Sequence, residues 1–222
     1  MRLGLIVLAF VLVVAAPDSA RAVTLVESTF DADNEGWVVG DFFSAGGSTP
    51  APFVAVGGNP GGFVRTEDLF GWNAYHAPAS FLGDKSAAYG GNLHLDQQIL
   101  GSDGLEYPMV VISDGSLLLQ YRTAPPGTTW TSFDISLLAS AGWEVADGSG
   151  DPGPAATEAQ LLAVLTNLAF LHIDADWLTG PDQVDLDNVR LETGTSVPEP
   201  GTGALLGLGA IVLGGLSRFR RR

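Results

Sequence analysis

There is no cysteine in the 222 residues. Disulfides, thiol nucleophiles and Cys-based metal sites are therefore excluded. Basic residues are scarce as well. Six of the ten lie near the two ends: Arg2, Arg21, Arg218, Arg220, Arg221 and Arg222. Between Val23 and Val197 stand 4 basic and 23 acidic residues, a balance of −19. So acidic a body repels nucleic acid and anionic lipid, and cations or neutral glycans suit it better. The three histidines, His76, His94 and His172, are isolated and match no zinc-binding spacing. His94 and His172 alternate within strand-like runs, which points to solvent-facing or hydrogen-bonded roles. There is no G-x-S-x-G, no P-loop and no dinucleotide fingerprint.

What is present is glycine (29), proline (13) and short alternating runs, with charged residues held to 16%. That composition suits an all-β domain with many turns. Strands are expected at Thr24–Phe30, Phe53–Val56, Gly62–Glu67, Tyr89–Ile99, Met109–Ile112, Leu117–Arg122, Trp130–Leu137, Trp143–Val145, Phe170–Trp177 and Gln183–Glu192. Asp41–Gly62 otherwise reads as loop. One helix is expected over Thr157–Leu168. Thr157 and Gln160 fit a capping box, and Leu161, Leu162, Leu165 and Leu168 give it one apolar face.

The two ends carry targeting patterns. Residues 1–22 have a positive start, an apolar stretch from Leu3 to Ala16, and an A-x-A site at Ala20 and Ala22. This is the layout of a secretory signal peptide cleaved before Val23, with an uncleaved anchor as the alternative. Residues 23–193 form the body and 194–200 a linker holding Pro198, Glu199 and Pro200. Residues 201–222 hold an apolar run to Leu216 and the basic end Arg218, Arg220, Arg221 and Arg222. Sixteen helical residues reach about 24 Å, short of a hydrocarbon core of about 30 Å unless Arg218 snorkels. The arginines favour the cytoplasmic side, which puts the body outside.

Two resemblances follow from these residues. The order of aromatic, Ala-Pro, Phe81-Leu82-Gly83-Asp84-Lys85 and Tyr89-Gly90-Gly91-Asn92-Leu93 resembles the laminin B (laminin type IV) domain. It continues through Ala163–Leu168 and Asp187-Asn188-Val189-Arg190-Leu191. The cysteine-rich modules that flank the domain in animal laminins are absent, so their part in laminin assembly does not carry over. The tail resembles the PEP-CTERM sorting signal, which implies an exosortase-like sorting enzyme as partner and transient anchoring in the membrane. An exported protein of the outer cell surface or extracellular matrix is expected.

The laminin resemblance implies a jelly-roll β-sandwich, similar to carbohydrate-binding modules, whose first and last strands lie together and often carry a structural calcium. Asp31, Asp33 and Glu35 follow the first strand, and Asp185 and Asp187 lie in the last. These five oxygen-bearing residues are the expected Ca²⁺ ligands. The Asp31–Trp37 segment also resembles half of an EF-hand loop, but Phe42 stands where a bidentate Glu belongs. A plain acidic surface turn before a strand is the alternative. Trp37, Trp72, Tyr75, Trp130, Trp143 and Trp177 are either core residues or platforms for sugar rings. Three functions stay open: non-catalytic adhesion or matrix binding, strict glycan binding to an extracellular polysaccharide, and hydrolysis by an unidentified carboxylate pair.

Overall fold

The computed structural model describes residues 22–194, residue 45 excepted. The expected signal peptide up to residue 21, the Pro198–Pro200 motif, the apolar span and the terminal arginines lie outside the described residues. Among the described residues no helix is long and apolar enough to cross a membrane.

Alternation of apolar and polar residues makes strand the main regular structure of the described residues. In order these are β1 (Thr24–Ser28), β2 (Val38–Asp41), β3 (Thr49–Pro50), β4 (Phe53–Gly58), β5 (Gly61–Glu67), β6 (Asn73–His76) and β7 (Asn92–Ile99). Then come β8 (Tyr107–Ser113), β9 (Leu118–Thr123), β10 (Thr131–Ser136) and β11 (Glu144–Val145). The helix α1 (Glu158–Thr166), β12 (Phe170–Asp174) and β13 (Gln183–Glu192) complete the chain. The strands form two antiparallel sheets of a jelly-roll sandwich. One runs β10-β7-β13-β5-β4, with β1 also on β13; the other runs β11-β9-β8-β12-β6-β2-β3.

β2 follows the acidic turn and pairs with β6 along its whole length. β3 was not expected: it lies in the Asp41–Gly62 stretch, whose Gly, Ser and Pro content reads as loop, and it pairs with β2. The expected Tyr89–Ile99 and Phe170–Trp177 strands are also shorter, starting at Asn92 and ending at Asp174.

The core lies between the sheets and buries Trp37, Trp143, Trp177, Tyr75, Phe30 and Phe81 completely. Tyr75 ties the sheets together: its hydroxyl lies 2.6 Å from the carbonyl oxygen of Val184, to which it donates. Burial pushes this phenol's pKa well up. In β13, Val184 and Leu186 face the core, and so do Val189 and Leu191, an odd step later. A bulge between Asp187 and Arg190 absorbs the extra residue, with Asn188 in the left-handed region at φ 51°. Asparagine tolerates that region better than most residues.

The helix begins as its sequence dictates. Gln160 N–H donates to the Thr157 hydroxyl, and Thr157 N–H to the Gln160 side chain. Leu161, Val164 and Leu165 are buried. The Phe81–Lys85 motif clasps the far end: Gly83 and Leu168 exchange backbone hydrogen bonds of 2.9 Å each way, and Lys85 N–H donates to Leu165 O. The motif is therefore structural.

Thr24 of β1 pairs with Glu192 of β13, so the body's first and last strands enter and leave at one end of the sandwich. Glu67 pairs with Gln183, and Ala74 with Asp174, which gathers another set of connections at the opposite end. Ten residues of β13 separate these poles by about 30 Å.

Candidate functional site

The distal pole, away from the chain's entry and exit, carries a cleft of about 370 Å³ between the β5–β6, β7–β8 and β12–β13 connections. Asp68, Phe70, Trp72, Tyr107, Asp176 and Leu178 line it with three smaller residues. A second hollow of similar size adjoins it, shares Asp68, and is lined also by Glu67, Leu100 and Asp182. Neither has a basic lining residue.

Each wall is fixed by a buried polar residue. Asn73 is fully buried; its side-chain oxygen accepts from Leu69 and Phe70 N–H, and its amide donates to Asp68 at 3.1 Å. That closes the β5–β6 loop and aims Asp68 outward. Asp182 accepts from Trp177 and Gln183 N–H and shapes the β12–β13 loop. Asp103 accepts from Leu105 N–H and from the Tyr107 hydroxyl at 2.7 Å.

The aromatic wall is a connected row. Trp72 stacks on Phe42 at 5.4 Å and meets Tyr107 edge-on at 5.8 Å; Tyr107 in turn approaches Trp177. Trp72 Nε1 donates to Asp174, a fully buried carboxyl whose other oxygen has no partner among the described residues. Burial holds the Asp174 pKa well above the usual carboxylate range.

The charges at the cleft are unbalanced. Asp176 is half-buried, and burial pushes its pKa up to about 6, with Asp68, Asp182 and Asp103 adding to the rise. Tyr107 is raised to about 12, first by its bond to Asp103 and then by burial. Carboxylates accept hydrogen bonds only, so the cleft offers acceptors beside flat aromatic surface.

The expected calcium ligands do not assemble there or elsewhere. Asp185 is held by Arg65 at 2.6 and 2.8 Å and by Gln98. Glu35 accepts from the Thr29 and Phe30 N–H groups, Asp33 from Glu35 N–H, and Asp31 from the Thr29 hydroxyl. Asp187 accepts from Asn59 and Asn188 N–H. Among the described residues no three His, Asp or Glu side chains are placed to hold a metal ion. Each of the five carboxylates accepts from a protein donor, Asp31, Asp33 and Glu35 through one oxygen only, and they are not gathered as a set. The sequence reading missed Asp96, which both Asn59 and Asn188 bridge with their side-chain amides. Burial first, then the charges of Asp96 and Asp31, push Asp187 up to about 6.

The histidines are not on solvent faces. His76, His94 and His172 are all buried. His94 sits between Asp134, 2.7 Å from Nδ1, and Asp96, 3.4 Å from Nε2. Of the six aromatic candidates, Trp37, Tyr75, Trp143 and Trp177 are core, while Trp72 and Trp130 are partly exposed. Only Trp72 belongs to the cleft. Asp68, Tyr107 and Asp176 carried no local sequence signal; their loops are brought together by strands far apart in the chain.

Among curated proteins none matches the chain. The L4b domain of human laminin alpha-2 matches at 18% identity over 76% of this chain and 96% of that one, with a TM-score of 0.60; it shares the fold. A family 30 carbohydrate-binding module matches at 15% identity over 80% of this chain and 92% of its own, TM-score 0.46. The family 11 module of a Clostridium thermocellum cellulosomal cellulase matches at 18% over 76% and 95%, TM-score 0.42. The PEP-CTERM protein-sorting motif spans residues 196–222 and marks an exported, surface-associated protein. Laminin B (Domain IV) matches residues 74–205, more than half of the sequence, and the chain belongs to that family.

Proposed function

We propose that this protein is a non-catalytic binding module displayed outside the cell, which adheres to its surrounding matrix by holding glycan in the distal cleft. The observation that carries the reading is the cleft itself: a partly exposed Trp72–Tyr107 corner beside Asp68 and Asp176. Aromatic rings cover the apolar face of a sugar, and carboxylates accept from its hydroxyls. The cleft also stands at the pole opposite the strand ends that lead to the tail. A module tethered or released through residues 196–222 would present that pole outward.

The sorting tail is the substrate of an exosortase-like enzyme, with the apolar run anchored in the membrane until processing. The test is affinity electrophoresis of the full chain through gels holding extracellular polysaccharide. Retardation that the Tyr107→Ala variant abolishes supports the reading. Release of reducing ends by the wild type, lost in Asp176→Asn, would replace it with a hydrolase that uses the Asp68–Asp176 pair. No retardation on any polysaccharide would refute it.

A further inference from the structure

We propose that the cleft selects a glycan bearing free amines, a de-N-acetylated amino-sugar polymer, over neutral or anionic glycans. This rests on the reading of the cleft as a glycan site. Asp68 and Asp176 face one hollow, and Glu67, Asp68 and Asp182 the next. Asp68 is common to both, so acceptors continue from one hollow into the other as a repeating ligand requires. Among the described residues no basic side chain neutralises them. The four basic side chains of the body are engaged elsewhere: Arg65 with Asp185, Lys85 with Leu82 O, Arg122 with Glu106 O and Gly150 O, and Arg190 with Glu192.

Each ligand class meets this arrangement differently. An anionic glycan faces like charge, which costs affinity at an interface. A neutral glycan meets the carboxylates with hydroxyl donors alone, which offset a desolvated charge less than a counter-charge does. An ammonium pairs with them and is also drawn to aromatic faces, which Trp72 and Tyr107 supply at the same corner. The half-buried Asp176, whose pKa is raised by burial and by Asp68, Asp182 and Asp103 against a backbone hydrogen bond at Asn73, gains the counter-charge it lacks from a bound cation. A pocket of about 370 Å³ lies in the size range of small-molecule sites, and its flat walls favour a sugar ring over a flexible lysine chain.

The test measures binding of the immobilised full chain to three hexamers: β-1,4-linked glucosamine, its fully N-acetylated counterpart, and cellohexaose. The glucosamine hexamer is expected to bind about tenfold tighter than either, roughly 1.4 kcal/mol. The Asp68→Asn/Asp176→Asn double variant should remove that advantage. The Glu27→Gln/Glu158→Gln variant makes the same charge change away from the cleft and should retain it. Equal or tighter binding of the acetylated or neutral hexamer, lost in Tyr107→Ala, overturns the amine selectivity while sustaining the glycan reading. Equal weakening by both double variants overturns it too, because the attraction is then only the net charge. Tighter binding of hexalysine than of the glucosamine hexamer makes the partner a basic peptide and overturns the proposal. Failure of every hexamer to bind overturns the glycan reading itself.

Discussion

The imidazoles of His76 and His172 lie face to face, with ring centroids 3.6 Å apart and planes 9° from parallel. Phe170 stacks on His172 as well, at 4.4 Å. His172 Nδ1 stands 2.9 Å from Phe42 O and His76 Nε2 2.9 Å from Asp41 O, so each of these nitrogens carries its proton and donates. Burial, and then the neighbouring His76, lower the His172 pKa to about 3; burial lowers that of His76. The prediction is that His172 does not titrate in the folded chain. Its ring resonances should stay fixed from about pH 7.5 to about pH 5, over which a free histidine goes from about a tenth charged to almost fully charged. A midpoint near 6 in that window would show that the ring is open to water.

Asp176 bears on stability with the opposite sign. Its folded pKa, about 6, lies above the ordinary aspartate value of 3.8. Between those values the folded chain holds a proton that the unfolded chain has lost. Stability from this group therefore rises as pH falls from about 6 towards 4, and is lost as pH climbs through 6. The buried histidines act against it: the unfolded chain binds their protons below about 6.5 and the folded chain does not, so they cost stability as pH falls. The Asp176→Asn variant should be more stable than wild type at pH 7, by about 1–2 kcal/mol after allowing for solvent screening. It should show no gain near pH 4. Urea melts at the two pH values check both the gain and its disappearance.

The two glycines of the Tyr89-Gly90-Gly91 motif serve different ends. A Cβ on Gly91 would sit 1.9 Å from Glu192 O and 2.5 Å from the carbonyl carbon of Thr193, backbone atoms of the final strand and its exit. A Cβ on Gly90 meets nothing within 4 Å, but the residue has φ +78°. Gly91→Ala should therefore cost about 3 kcal/mol or more by prising the end of β13 away. Gly90→Ala should cost about 1 kcal/mol, the strain of a left-handed residue alone. Chemical denaturation of both variants distinguishes them, and equal losses would count against the close approach at Gly91.

Local patterns in the chain carried the fold a long way. Gln183–Glu192 is a strand with those bounds, and the Thr157/Gln160 box starts the helix, because alternation and capping are written within a few residues. β3 was hidden because Thr49-Pro50 is too short to show a period and stands among Gly, Ser and Pro. Gly40 in β2 is needed there, since a Cβ would lie 2.5 Å from the His76 ring. His94 and His172 read as solvent-facing or hydrogen-bonded because alternation names a face but not what covers it. Over His172 the cover is Phe42, whose carbonyl lies against a histidine 130 positions later. The cleft was out of reach for the same reason, since Asp68, Tyr107 and Asp176 meet only through the pairing of β5, β8, β12 and β13 with their neighbours.

Each expected calcium ligand already accepts from a protein donor, and whether calcium binds is open to direct test. Recruiting Asp185 would strip a bidentate carboxylate from Arg65, itself raised in pKa chiefly by that bond, and leave the guanidinium without its counter-charge. Recruiting Asp187 would take acceptors from the N–H groups of Asn59 and Asn188, and Asn188 is the pivot of the bulge that keeps Val189 and Leu191 in the core. One buried oxygen of Asp96 lacks a hydrogen-bond partner, and His94 Nε2 lies 3.4 Å from it. A ligand that binds the folded state raises the melting temperature in proportion to its occupancy. Calcium at about 100 times a millimolar dissociation constant would add about 2.7 kcal/mol, several degrees for a domain of this size. The expected outcome is no such rise with calcium, and no fall with chelator, in the wild type or in Asp187→Asn. A rise in the wild type that Asp187→Asn abolishes would mean that Asn59 and Asn188 yield and that Asp31, Asp96 and Asp187 close on the ion.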